Sequence, residues 1–142
     1  MKKILVTGGA GFIGSALIRN LLLSNNYHVL NIDKLTYSGN LKSLSSISRN
    51  NYIFKQVDIC QQEKILSLIQ DFKPNVITHM AAETHVDRSI DSPEEFIRTN
   101  IFGTYSMLEA SRNYYDCLNS KSKKDFLFHH ISTDEVYGSL GK

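Results

Sequence analysis

The chain has 142 residues, 42% hydrophobic and 21% charged, with 16 basic against 14 acidic side chains and a net charge of +2. That is enough for one domain with a substantial core. The near balance of charge excludes the strongly basic surface that nucleic acid or an anionic membrane would require.

The opening residues, MKKILVTGG, have a basic start, but the apolar run Ile4, Leu5, Val6 is too short for an export signal. No stretch approaches transmembrane length. Cys60 and Cys117 lack metal-ligand spacing and read as free thiols of a reducing compartment, so a cytoplasmic location is expected. Short apolar runs alternate with longer amphipathic ones. Strands are predicted at Lys3–Val6, His28–Ile32, Tyr52–Val57, Val76–Met80 and Phe126–Ile131, and helices at Ile13–Leu23, Gln62–Phe72 and Pro93–Tyr115. Ser92 is the expected N-cap of the last helix, with Pro93 at its first position and Glu94 and Glu95 in its first turn. Lys121–Lys124 (KSKK) reads as a solvated loop. Alternating strands and helices imply an α/β fold, a Rossmann-like doubly wound parallel sheet. The near-continuous apolar strands fit a sheet covered on both faces. Within Pro93–Tyr115, the run Ile101–Leu108 is apolar or small nearly all round. That is more than one sheet face needs, which implies a second partner: another helix of the same protein or a second subunit.

Between the first strand and the first helix lies TGGAGFIG, residues 7–14. Gly8, Gly11 and Gly14 permit a tight turn and close backbone approach to a pyrophosphate, which then meets the N–H groups of the helix start. Asp33 ends the second strand, where a carboxylate can hold both ribose hydroxyls and repel a 2′-phosphate. NAD is therefore the expected cofactor, although Lys34 next to it weakens the argument against NADP. Asp58, after the third strand, fits either an adenine contact or a cap before Gln61. Ala81 and Ala82, after the fourth, would let a nicotinamide pass close over the sheet edge. Near the end, Thr133, Asp134 and Glu135 follow the fifth strand, with a Tyr137–Gly138 turn behind them.

Taken together, TGGAGFIGS, DKLTYSGN (33–40), HMAAETHVDRSI (79–90) and HHISTDEVYG (129–138) resemble the extended short-chain dehydrogenase/reductase family and, within it, the dTDP-glucose 4,6-dehydratases. The resemblance implies an NAD-dependent lyase that turns a dTDP-hexose into its 4-keto-6-deoxy form. By position it places Phe12, Ile13, Asp33, Lys34, Leu35, Thr36, Asp58, Ile59, Met80, Ala81, Ala82, Glu83, Thr84 and Thr99 around NAD, and Thr84 and Thr133 against the sugar. It makes Asp134 the acid and Glu135 the base of the elimination, with the Thr133 hydroxyl polarising the C4 oxygen. The chemistry agrees: a ketone at C4 acidifies the C5 proton for a carboxylate base, and the C6 hydroxyl needs a protonated acid to leave. His85 and Arg88 fit either a substrate phosphate or the loop itself, and His129–His130 reads as strand-end packing with no metal site.

The family's oxidation step uses a Tyr-x-x-x-Lys pair. None of the tyrosines at 27, 37, 52, 105, 114, 115 and 137 has lysine four residues on. Residues 1–142 thus read as an NAD-binding Rossmann domain cut before that helix, without the later strands and the substrate lobe. The 93–115 helix is the expected homodimer contact of the complete enzyme. The competing readings are a UDP-sugar 4-epimerase, a UDP-glucose 4,6-dehydratase and a non-catalytic NAD-binding fragment.

Overall fold

The computed structural model describes residues 1–142 except Ser48, Ser139, Leu140 and Lys142; for Arg49 and Glu135 it describes the backbone and not the side chain. Five strands, β1 (Lys2–Thr7), β2 (Tyr27–Asp33), β3 (Tyr52–Gln56), β4 (Val76–His79) and β5 (Leu127–His130), form one parallel sheet in the order β3-β2-β1-β4-β5. The helices are α1 (Phe12–Leu23), α2 (Gln62–Phe72), α3 (Val86–Asp91), the composite α4 and α5 (Ser120–Asp125). α4 is one continuous rod of α-helical Pro93–Phe96, π-helical Ile97–Gly103 and α-helical Thr104–Asp116.

Alternation along the strands divides the core in two. Ile4, Val6 and Val29 meet Ile18 of α1 and Leu44 of the β2–β3 connection on one face. Leu5, Leu30, Ile32 and Ile77 meet Ile65, Ile69 and Phe72 of α2 and Met107, Ala110 and Tyr114 of α4 on the other. The spacing Ile65, Ile69, Phe72 is one helical stripe, and each fully buried isoleucine contributes about 1.5–3 kcal/mol. α4 approaches closely where Gly103 faces Ile59: a Cβ there would stand 2.4 Å from Ile59 Cδ1.

Several expectations require correction. The fifth strand is covered on one face only: Phe126 and Phe128 are half-buried against the α2–α4 cluster, whereas Leu127 is 54% exposed and Ile131 is also exposed. KSKK is not a loop but part of α5, started by Asn119, whose side chain accepts the Ser122 N–H at 2.9 Å. Ser92 does not cap α4 with its side chain; its N–H instead closes α3 on the Arg88 carbonyl. The apolar surplus on α4 is real, since Ile97, Ile101, Phe102, Tyr105 and Leu108 all face outward, exposed. No helix among the described residues is long and apolar enough to cross a membrane.

Candidate active site

Because every strand is parallel, the segments that follow them emerge along one edge, and β1 and β4, whose connections leave in opposite directions, meet at its centre. The glycine turn sits there. Gly8 has φ +72°, a conformation that favours glycine, and its N–H donates to the Ile32 carbonyl at 2.9 Å. Gly14 is packed against the turn, where a Cβ would stand 2.2 Å from the Gly8 oxygen. The start of α1 is left open. Gly11 offers no side-chain cap and no acidic residue lies in the first turn, so the helix end is free to receive an anion. Phe12 and Ile13 flank it, exposed.

Asp33 locks this turn to the end of β2. One carboxylate oxygen accepts the Ala10 N–H and the other the Leu35 N–H, each at 2.8 Å. The second bond holds Leu35 at φ +58°, which a residue with a side chain adopts at some cost. Asn40 donates its N–H to the Ala10 carbonyl at 2.9 Å, so Ala10 is held from both sides.

Lys34 turns away from Asp33. Its ammonium lies 3.2 Å from Asp58 and 3.5 Å from Glu95. Burial works to lower its pKa, but the hydrogen bonds and charges of the two carboxylates outweigh this and hold it raised. Burial likewise works to raise the Asp58 pKa, and the Cys60 N–H and Lys34 bring it below the ordinary carboxylate range. Asp58 therefore makes a local turn with Cys60 and an ion pair, while the residue at the N-cap of α2 is Gln61. Ile59 is buried beneath α4, and Thr36 lies in the half-buried loop.

After β4, Met80, Ala81 and Glu83 are half-buried and Ala82 and Thr84 exposed. Thr99 lies half-buried on the π stretch of α4, and Asn100, which sequence reasoning missed, clamps the loop. Its side-chain oxygen accepts the Glu83 N–H and its amide donates to the Glu83 carbonyl, both at 2.9 Å. An amide residue inside an otherwise apolar helix was the available signal, since asparagine is a poor helix interior residue that seeks backbone partners. Arg88 stacks its guanidinium 3.5 Å over the Tyr37 ring, and His85 sits at the N-cap of α3 without a side-chain capping bond.

After β5, Thr133 donates its hydroxyl to an Asp134 oxygen at 3.2 Å, and Asp134 opens a 3-10 turn running to Tyr137. Asp134 and Tyr137 are exposed, so the described residues do not supply the dry surroundings that an elimination pair requires. The Glu135 side chain lies outside the described residues. His129 is exposed, and His130 stacks on His79 with ring centroids 5.2 Å apart.

His79, also missed, is buried between Thr7, 2.7 Å from Nδ1, and Thr104, 3.1 Å from Nε2. Burial, and then the neighbouring His130, lower its pKa from 6.5 to about 4. Between those values the unfolded chain binds a proton that the folded one refuses. Stability is therefore full above pH 6.5 and falls as the pH is lowered towards 4, by about 3 kcal/mol in all. Urea unfolding across that range is expected to show the decline, and His79→Asn to flatten it; an unchanged slope in the variant would contradict the assignment.

The residues fit a dinucleotide: a cradle that a Cβ would fill, an open helix start above it, and a carboxylate beside it with its neighbouring lysine engaged elsewhere. Comparison with known proteins agrees. The chain is 55% identical over 139 residues to a dTDP-glucose 4,6-dehydratase of Salmonella typhimurium, covering 97% of this chain and 38% of that protein. It thus spans about two-fifths of the length of such curated relatives. A crystal structure of dTDP-glucose 4,6-dehydratase from Bacillus anthracis in complex with NAD superposes with a TM-score of 0.81 at 40% identity, over 100% of this chain and 41% of that one. A UDP-glucose 4-epimerase from Thermotoga maritima with UDP-glucose reaches 0.69 at 35% identity, over 79% of this chain and 34% of that one. Residues 5–142 match the sequence model described as GDP-mannose 4,6 dehydratase, and the chain belongs to that family.

Proposed function

We propose that this chain is the cofactor-binding part of an NAD-dependent dehydratase acting on dTDP-glucose. The observation that carries the reading is the shared edge: Asp33 ends β2, and Gly8, Asp58, Met80–Thr84 and Thr133–Asp134 follow the carboxyl ends of the other parallel strands. When bound, NAD would supply the hydride-transfer chemistry that the reaction needs at C4 and at C6 of the hexose. This chain's own residues hold the cofactor and carry the elimination; the base that takes the C4 hydroxyl proton is not among them. The open start of α1 receives the pyrophosphate, and the Asp33 carboxylate accepts from the ribose hydroxyls. The Thr133 hydroxyl polarises the C4 oxygen. Glu135 removes the proton from C5 while Asp134 protonates the C6 hydroxyl, which leaves as water. The proton on Glu135 then returns to C5, and the one lost from the C4 hydroxyl replaces the proton Asp134 gave. A 4-epimerase has no elimination step and no use for that acid pair.

The proposal includes a homodimer through the outer face of α4 and a cytoplasmic location in keeping with its two free thiols. Isolated residues 1–142 are expected to bind NAD saturably in calorimetry and to form no 4-keto-6-deoxy product from dTDP-glucose, since no Tyr-x-x-x-Lys is present to oxidise C4. Product from this chain would overturn the assignment of oxidation to such a pair, and absence of saturable binding would overturn the cofactor reading.

A further inference from the structure

The Thr7 hydroxyl has three polar neighbours. Its oxygen accepts the N–H of Met80 at 3.1 Å and of Ala81 at 3.2 Å, and His79 Nδ1 lies 2.7 Å away. A hydroxyl has two acceptor lone pairs and one proton. With both lone pairs given to the amides, the proton goes to Nδ1. That nitrogen is therefore bare, the ring proton sits on Nε2, and Nε2–H donates to the Thr104 hydroxyl at 3.1 Å. The opposite tautomer would press a third donor onto the Thr7 oxygen and leave a buried polar group without a proper partner. Thr7 and His79 are 0% and 1% exposed, so water cannot make up the loss.

We propose that His79 is a positioning residue for the cofactor-facing backbone: as the Nε2–H tautomer it turns the Thr7 hydroxyl so that its oxygen grips Met80 and Ala81, and it ties that grip to α4 through Thr104. The inference rests on the reading above that Met80–Ala82 border NAD, and it deepens it. The gripped backbone is also the wall of the glycine turn, since a Cβ on Gly8 would lie 2.8 Å from both N and Cα of Ala81. One imidazole thereby sets the separation of two cofactor-facing segments, from β1 and β4, that are far apart in sequence.

Two near-isosteric replacements separate this role from simple filling of space. His79→Asn keeps a carbonyl oxygen where Nδ1 was and loses the bond to Thr104; His79→Gln places an amide nitrogen near Nε2 and loses the acceptor for Thr7. The readouts are the imidazole nitrogen resonances of the 142-residue chain at neutral pH, the hydrogen-exchange rates of the Met80 and Ala81 amides, and NAD titration. The expected tautomer is Nε2–H. Both amides should exchange about tenfold faster in His79→Gln and Thr7→Val, with NAD affinity reduced to a similar degree, and stay within about threefold of the parent in His79→Asn and Thr7→Ser. A proton on Nδ1, or equal amide protection in His79→Gln and His79→Asn, overturns the proposal. The histidine pair decides it even if Thr7→Val fails to fold. If the tautomer and the amide pattern hold while the parent chain binds no NAD, the positioning role stands and it is the cofactor reading that falls.

Discussion

Gly14→Ala is expected to abolish measurable NAD binding and to lower the melting temperature by roughly 10 °C. The added methyl would stand 2.2 Å from the Gly8 oxygen and 2.8 Å from Gly9 Cα. Both are backbone atoms of the turn itself, so neither can rotate away, and relief requires α1 to lift from the sheet. Overpacking of this kind costs about 3 kcal/mol. The same lift moves the open helix start away from the phosphates, and loss of two charge-assisted hydrogen bonds weakens affinity by at least about a hundredfold. Gly11→Ala is the internal control for the loss of stability alone: its Cβ would stand 3.3 Å from the Gly8 oxygen, a contact that a shift of a few tenths of an ångström relieves, so this variant should melt close to the parent. A Gly14→Ala chain that melts with the parent and titrates normally with NAD would show that the turn is not the phosphate site.

The second large effect belongs to Asp33. Asp33→Ala removes the acceptor for the Ala10 and Leu35 amides together with the partner for the ribose hydroxyls. NAD affinity should fall by about a hundredfold, because hydrogen bonds to a charged group contribute about 1.5–3 kcal/mol each. NADP should gain little from this change alone, since Lys34 remains drawn to Asp58 and Glu95. Adding Asp58→Asn removes the nearer of those charges and should bring NADP to within about tenfold of NAD, as a freed ammonium at the strand end can then meet a 2′-phosphate. Titration of both dinucleotides against the single and double variants reads this directly; preserved NAD affinity in Asp33→Ala would exclude the carboxylate from the ribose site.

The core elements were legible because their signals are local. The apolar runs of β1 and β2, the stripe of α2 and the glycine turn followed by Asp33 each follow from spacing and side-chain chemistry alone. The parts that escaped depend on partners distant in sequence. His79 reads as one more residue of a strand until Thr7 and Thr104, 72 positions before it and 25 after, are brought to its two nitrogens. Asn100 acquires a purpose only when Glu83 lies beside it. Lys34 weakened the argument against NADP until folding brought Asp58, and Glu95 from α4, to its ammonium. α3 and α5 are six residues each, too short to show a helical period, and α5 depends on the Asn119 cap. The exposure of one face of β5 follows from what is not packed on it, which residues 126–131 cannot express.

The π-helical stretch of α4 bears on how its two surfaces can vary. Ile97, Ile101, Tyr105 and Leu108 form an outward row, while Gly103, Met107 and Ala110 face the sheet. In a regular helix, residues 97 and 105 would differ in direction by about 80°. A locally wider turn takes up much of that drift and keeps the row straight. The seven π residues thus act as a phase adjuster: gain or loss of one residue within them would turn Ile97 and the segment before it against Tyr105 and Leu108, while leaving the packing beyond Thr104 intact. The part of the outer surface that precedes the wide turn can therefore change direction without disturbing the helix committed to the core.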